Sequence, residues 1–244
     1  MTAVAPAINF AQRWFLNMLS ILYVRRICNS GAATPTLHLM PGARHQCMIH
    51  EGAPFQQFHR LSSVIAERLK SNYRCFYANH PEMVAGMRLY LDAHGLDVAG
   101  ETERGALVLT SEQTHLIDGR FDANRILSML EWVLDESARD GFAGVWGSGD
   151  VAWELGSDLD VDKLIAYERG AEEVSARRPE LQCVCLYRVD ALPRDFAHPA
   201  FSTHRSIYVD DATSLLNPYY DPQKTSRAHV EDMLSWRRLA AMED

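Results

Sequence analysis

The stretch "FDANRILSMLEWVLDESARDGFAGVWGSGDVAWEL", residues 121–155, predicts the fold because a strong helix pattern leads directly into a buried strand. Asp122 is suited to cap the start of the helix. Apolar residues recur along one helical face, at Ile126, Leu127, Leu130, Val133 and Leu134. The apolar run "FAGVWG" (142–147) then predicts a strand. A helix followed at once by a strand is a unit of α/β folds.

The same alternation continues on both sides of this stretch. Strands are predicted at 46–50, 73–78, 105–111, 181–187 and 205–210, and helices at 55–70, 81–95, 160–178 and 226–242. Strands that alternate with helices of this length imply βαβ units and a mostly parallel sheet. We therefore expect an N-terminal helical extension or linker at 1–40, one α/β domain at 41–222 and a C-terminal helix at 223–244. Residues 8–26 fit a helix docked on the domain, a basic amphipathic helix on a membrane surface, or an extension outside the folded unit. Met40 or Met48 is an alternative start, so residues 1–40 need not be native.

Composition and charge exclude several classes of protein. The chain has 244 residues and a net charge of −8, with no acidic residue before Glu51. The acidic remainder argues against direct binding to nucleic acid, which needs a basic surface. The apolar run at 16–24 is too short for a membrane span. The odd number of cysteines, five, favours reduced thiols and a cytoplasmic location.

Gly147, Gly149 and Ala152 fit G-x-G-x-x-A, a variant of the dinucleotide-binding fingerprint. A phosphate-binding P-loop also needs Gly-Lys, and the sequence contains no such pair. The acidic segment "VAWELGSDLD" (151–160) follows, where we expect neither a helix nor a bound anion. We interpret the glycines as a turn with positive φ at a strand end, which presents Asp150 at the carboxyl edge of the sheet.

A metal site and a catalytic nucleophile have weaker support in the sequence. Cys183 and Cys185 share one face of a strand, and His198 and His204 follow. Zinc sites usually place two or more residues between paired thiols, so buried core cysteines are the preferred interpretation and no metal is expected. No G-x-S-x-G motif is present. We expect no catalytic residue and no cofactor.

Several short motifs occur in an order that resembles the MEDS family, the methanogen/methylotroph and DcmR sensory domain. They are Gly119/Phe121/Asp122, Gly141 to Gly144, Gly149/Asp150/Trp153, Tyr167/Glu168, Cys185/Tyr187, His204 and Asn217/Pro218/Tyr220. The sequence departs from the family pattern in three places. Val145-Trp146-Gly147 lacks the usual Arg, Arg205 replaces the Pro after the histidine, and "HQCMIHEG" (45–52) only loosely matches the N-terminal motif.

The resemblance implies an α/β domain of RecA/KaiC-like architecture, a three-layer sandwich with a mostly parallel sheet and no working Walker A. It also implies a non-enzymatic domain that binds a small organic molecule and relays to a separate histidine kinase, anti-sigma factor or transcription regulator, and it leaves room for a homodimer. A nucleotide-handling enzyme and a pure protein-interaction module are the alternatives. The ligand-binding residues that we predict are Asp150, Trp153, Glu168, Tyr187 and His204, around a mostly apolar pocket.

Overall fold

A seven-stranded sheet forms the middle layer of the protein. The computed structural model describes residues 44–50, 54–188, 191–192, 196, 202–208, 214–217 and 220. Across the sheet the order is β3 (Leu107–Thr110), β2 (Tyr73–Ala78), β6 (Gly144–Asp150), β7 (Leu181–Arg188), β1 (His45–His50), β8 (Ser206–Tyr208) and β9 (Ser214–Leu216). Of these described strands, β9 alone runs antiparallel to its neighbour. A separate hairpin pairs β4 (Leu116–Ile117) with β5 (Arg120–Phe121).

Helices cover both faces of this sheet. They are α1 (Pro54–Lys70), α2 (Pro81–Ala93), α3 (Val98–Glu103), α4 (Ala123–Arg139), α5 (Val151–Leu155) and α6 (Val161–Arg177). On the α1 face, Leu61 and Met87 from α1 and α2 share a core with Trp146 and Leu186 of the strands. On the opposite face, called the α6 face, Leu134 of α4 and Val174 of α6 share a core with Val145 and Leu181. The predicted α/β three-layer sandwich is confirmed.

Side chains alternate between these two faces along each strand. In β7, Leu186 points to the α1 core, whereas Cys183, Cys185 and Tyr187 lie on the α6 face. The parallel register places Phe76, Gly147, Cys183 and His45 in one row across four strands. A second row, two residues further along, contains Ala78, Gly149, Cys185 and Cys47.

The predicted boundaries of the long helices α4 and α6 agree closely with the observed ones. Asp122 accepts a hydrogen bond from the Arg125 backbone N–H at 2.9 Å, as an N-cap should, and this prediction is confirmed. Asp160 caps α6 in the same way, at 2.9 Å from the Asp162 backbone nitrogen. The hairpin, α3 and β9 are not predicted by the sequence, because each is too short to show a periodic pattern.

The interpretation of Gly147 and Gly149 as a turn is wrong. Strand β6 continues through both glycines to Asp150, and neither glycine has a positive φ. The expectation that no helix follows is also wrong. Asp150 accepts a hydrogen bond from the Trp153 backbone N–H at 3.0 Å, and this cap starts α5. The helix is short but its apolar side chains are buried, which supplies the stability that its length does not.

Three predictions concern residues outside the described ranges. The extension at 1–40 and the C-terminal helix at 223–244 lie there, as does His198. The domain boundaries therefore remain predictions. Within the described part of the chain, no helix is long and apolar enough to cross a membrane.

Candidate functional site

Four potential metal ligands converge beneath α6 and are called the interior cluster: His45 of β1, Glu168 of α6, Cys185 of β7, and His204, which precedes β8. All four are buried, and one ligand atom from each lies within 4.8 Å of the others. Adjacent parallel strands bring His45 and Cys185 to the same face, and α6 crosses above them. The interior cluster therefore depends on tertiary structure, since its members are far apart in sequence.

Glu168 Oε2 is the centre of the interior cluster. It lies 3.0 Å from His45 Nε2, 3.3 Å from His204 Nε2 and 3.5 Å from Cys185 Sγ. Cys185 Sγ is also 3.5 Å from His45 Nε2. The two imidazole rings are tilted against each other with centroids 4.2 Å apart. One carboxylate oxygen thus faces two imidazole nitrogens and a thiol.

A second set of polar groups holds the interior cluster in place. His45 Nδ1 lies 3.2 Å from Glu172 Oε2, and His204 Nδ1 lies 3.0 Å from Thr203 Oγ1. The Tyr187 hydroxyl donates to Glu168 Oε1 at 2.5 Å. Both nitrogens of each imidazole and both oxygens of Glu168 are therefore in polar contacts, which fixes the side-chain orientations.

The charges in this site are strongly shifted from their usual values. Burial alone would lower the pKa of His45, but the charge of Cys183 and the hydrogen bonds that His45 donates to Glu168 and Glu172 raise it to about 10. Burial alone would raise the pKa of Glu168, whereas the two histidines hold it well below its usual range. Glu168 is therefore a carboxylate at neutral pH even though it is fully buried.

A second polar group, the edge cluster, lies on the α1 face at the carboxyl ends of β1 and β2. It consists of His50, Gln57, Tyr77 and Asn79, all of them buried. The Tyr77 hydroxyl donates to Gln57 Oε1, and Asn79 Nδ2 donates to the Tyr77 oxygen at 3.1 Å. His50 Nε2 lies 3.3 Å from Gln57 Nε2. Because these contacts already occupy the groups, the edge cluster is best explained as a structural network.

The sheet groove is a partly exposed strip on the α6 face, formed by Phe76, Ala78, Gly147, Gly149 and Cys183. Helices normally bury the middle of such a sheet. At Gly147, a Cβ added to the backbone would have no heavy atom within 4 Å, so there is open space above the centre of β6. At Gly149, by contrast, a Cβ would overlap Glu154 Oε1. The absence of a side chain therefore leaves open space at Gly147 and accommodates the Glu154 carboxyl group at Gly149.

Glu154 brings a buried acid to this groove from α5. Burial, together with the charges of Glu168 and Asp150, raises the pKa of Glu154 well above its usual value. Its Oε2 atom is buried and has no hydrogen-bond partner among the described residues. Nearby, a surface pocket of about 690 Å³ opens between the hairpin and the first turns of α4 and α6. Phe121, Asp122 and Lys163 are among its lining residues.

The structure brings three of the five predicted ligand-binding residues together. Glu168, Tyr187 and His204 meet in the interior cluster and its surrounding contacts. Asp150 and Trp153 lie instead at the start of α5, where Trp153 packs against the His115 ring at 5.2 Å between centroids. All five side chains are buried. Their role in ligand binding remains a prediction.

His45 and Glu172 belong to the site, although the sequence does not predict them. His45 is 123 residues from Glu168, and the two side chains meet only because α6 crosses over β1 in the folded chain. Cys185 is interpreted as a core residue from the sequence because its spacing from Cys183 does not match a zinc motif. The i, i+4 pair Glu168 and Glu172 on α6 is an available signal, because that spacing places both carboxylates on one helical face.

Comparison with known families agrees with this architecture. A family model described as MEDS, the MEthanogen/methylotroph, DcmR Sensory domain, matches residues 44–205. Because the match covers well over half of the chain, the protein belongs to the MEDS family, and the resemblance found in the motifs is confirmed. The family is a sensory one, so the protein has a general role in sensing or signalling. Among curated proteins, none matches the sequence.

Proposed function

We propose that the protein is a sensor that binds a small organic molecule in the sheet groove and relays this binding to a separate regulatory partner. The observation that carries the proposal is the open space above Gly147, in the middle of a sheet face that α4 and α6 otherwise cover. Small-molecule sites are usually concave and mostly apolar, with a few polar groups that fix orientation. The sheet groove has this composition.

The polar group best suited to orient such a ligand is Glu154. Its raised pKa favours the protonated form, and a protonated carboxyl can donate a hydrogen bond to a carbonyl or hydroxyl oxygen. Cys183 and Phe76, which flank Gly147 in the same row, would contact the apolar part. This combination favours a small, uncharged oxygen-containing molecule over a nucleotide.

We assign the five residues predicted from the sequence to supporting roles around this ligand. Asp150 caps α5, which carries Glu154, and Trp153 anchors the same helix in the core. Glu168, Tyr187 and His204 form the rigid wall beneath α6. Ligand binding between α4 and α6 would change the packing of these two helices. A histidine kinase, an anti-sigma factor or a transcription regulator would then detect that change, in a cytoplasmic protein that can also form a homodimer.

Saturation-transfer NMR with 1-butanol and 2-butanone as probes tests the proposal. We expect both probes to bind the wild-type chain and to lose binding in Gly147→Leu, which fills the open space. Ala99→Leu, at an exposed position on α3, is the control and should bind as the wild type does. Equal binding by Gly147→Leu would contradict the proposed site.

Calorimetry with ATP and NAD tests the enzyme alternative on the same protein. We expect no binding in the micromolar range. Micromolar binding that is lost in Asp150→Ala would replace the sensor by a nucleotide-handling protein, because Asp150 ends β6 at the edge where such folds bind nucleotides.

A further inference from the structure

We propose that the interior cluster is a metal site that binds one Zn²⁺ through His45 Nε2, Glu168 Oε2, Cys185 Sγ and His204 Nε2. The donors come from four different parts of the fold, so the ion would join β1, α6, β7 and the segment before β8. This proposal does not depend on a ligand in the sheet groove.

The distances between the donor atoms fit tetrahedral zinc. Zn–N and Zn–O bonds of about 2.0–2.2 Å and a Zn–S bond of about 2.3 Å place neighbouring donors roughly 3.3–3.6 Å apart. The observed separations from Glu168 Oε2 are 3.0, 3.3 and 3.5 Å, and the Cys185 Sγ to His45 Nε2 separation is 3.5 Å. The other two donor pairs also lie within 4.8 Å of each other, so a bound ion would draw the four donors together.

The second set of contacts is the kind that zinc ligands usually have. A metal-bound histidine normally uses its other ring nitrogen to contact a carboxylate, a carbonyl or another polar group, which fixes the ring orientation. His45 makes this contact with Glu172, and His204 makes it with Thr203. Tyr187 holds the second oxygen of Glu168. Each of these contacts leaves the proposed donor atom directed at the centre of the cluster.

Charge and donor type favour zinc over Mg²⁺ and Ca²⁺. Zinc binding would displace the protons of His45 Nε2 and Cys185 Sγ, as metal binding does at such ligands. The Glu168 carboxylate and the Cys185 thiolate would then together neutralise Zn²⁺, which matters because an uncompensated charge is costly at full burial. Thiolate and imidazole donors suit Zn²⁺ and disfavour Mg²⁺ and Ca²⁺, which prefer oxygen. Four protein donors leave no open position, as in structural zinc sites.

The same residues also resemble a nucleophile with its base. Cys185 Sγ lies 3.5 Å from His45 Nε2, and His45 Nδ1 lies 3.2 Å from Glu172 Oε2. A catalytic thiol must reach a substrate, however, and Cys185, His45 and Glu168 are buried. Burial is an obstacle to covalent catalysis and an advantage for a closed metal site, so the geometry favours zinc.

The first test is the metal content and X-ray absorption of the full-length chain, purified without chelator. We expect one equivalent of zinc, with one sulfur at about 2.3 Å and three nitrogen or oxygen donors at about 2.0–2.2 Å. Because this measurement uses the wild-type protein, it does not depend on whether a variant folds. Zinc without a sulfur neighbour, or a chain that neither contains nor takes up zinc, would overturn the proposal.

The second test is titration with Co²⁺, which reports a thiolate ligand through a charge-transfer band. We expect this band in the wild type and in Cys75→Ser, whose thiol is equally buried but lies in the α1 core. We expect its loss in Cys185→Ser, and a roughly 10–100-fold weaker affinity in Glu172→Gln. A band of equal strength in Cys185→Ser would exclude Cys185 as a ligand and overturn the four-donor site.

Discussion

Gly147 and Gly149 of β6 are separated by one residue, yet the space around them differs in opposite ways. Both resemble a phosphate-binding motif in the sequence, and both are ordinary strand residues in the structure. A side chain at Gly147 would enter open space, whereas a side chain at Gly149 would overlap Glu154. The sequence contains no signal for this difference, because it arises from the position of α5.

We predict that Gly147→Ala stabilises the protein and Gly149→Ala destabilises it. Alanine in a strand is favoured over glycine by roughly 0.5–1 kcal/mol where space allows, and Gly147 has that space. Alanine at 149 would displace the buried Glu154 carboxyl, at a cost of about 1–3 kcal/mol. Urea denaturation of the two variants measures both effects. The same sign for both substitutions would contradict the packing described for β6.

We predict that the free energy of unfolding falls below about pH 6.5, because protonation of His115 is less favourable in the folded protein than in the unfolded chain. Burial lowers the pKa of His115 from 6.5, so the folded protein takes up this proton less readily than the unfolded chain does. Stability from the neutral ring is therefore present above pH 6.5 and is lost as pH falls toward the lowered pKa. The free energy of unfolding, measured from about pH 7.5 to about pH 5.5, should fall less steeply in His115→Gln.

If His115→Gln and the wild type show the same slope, the His115 ring does not titrate differently in the folded protein.

Among the helices, the two long ones that begin at an aspartate cap, α4 and α6, could be predicted almost to the residue. Asp122 and Asp160 mark the starts of α4 and α6, because a capping aspartate leaves a local signal before the apolar pattern. Helix α5 lacks such a pattern, since it has five residues and an acidic segment follows it. It forms because Asp150 caps it and the core buries it, and neither the burial nor the packing is visible in a short segment.

We predict that Asp150→Ala destabilises the protein by about 1–2 kcal/mol, since the cap of α5 is lost. Asp150→Ser should retain most of the stability, because serine also accepts a hydrogen bond from the helix backbone. Denaturation of both variants distinguishes the cap from other roles of the carboxyl group. Equal losses in the two variants would show that capping is not its main contribution.

At the scale of the whole molecule, the fold is more predictable than the site. Alternating helix and strand patterns predict the α/β architecture, since each depends on local periodicity. The interior cluster depends on which strands become neighbours, and β1 pairs with β7, the sixth strand after it in the chain. Glu168, Tyr187 and His204 could be proposed from family motifs, but His45 could not be connected to them before the register was known.

We predict that removal of zinc weakens the whole domain, because the ion would join four parts of the fold. Treatment with a strong chelator should lower the thermal unfolding temperature of the wild type. Cys75→Ser should respond as the wild type does, and Cys185→Ser should not respond. A wild type that is unaffected by complete removal of its metal would show that the ion is not structural.

Native mass spectrometry of the freshly purified protein shows whether the sheet groove holds a small organic molecule. We predict a non-covalent organic adduct on the wild type that is absent from Gly147→Leu, while any bound zinc remains in both proteins. Ala99→Leu should retain the adduct. An adduct of equal abundance in wild type and Gly147→Leu, or a wild type without adduct that also fails to bind 1-butanol and 2-butanone, would show that the sheet groove is not a ligand site.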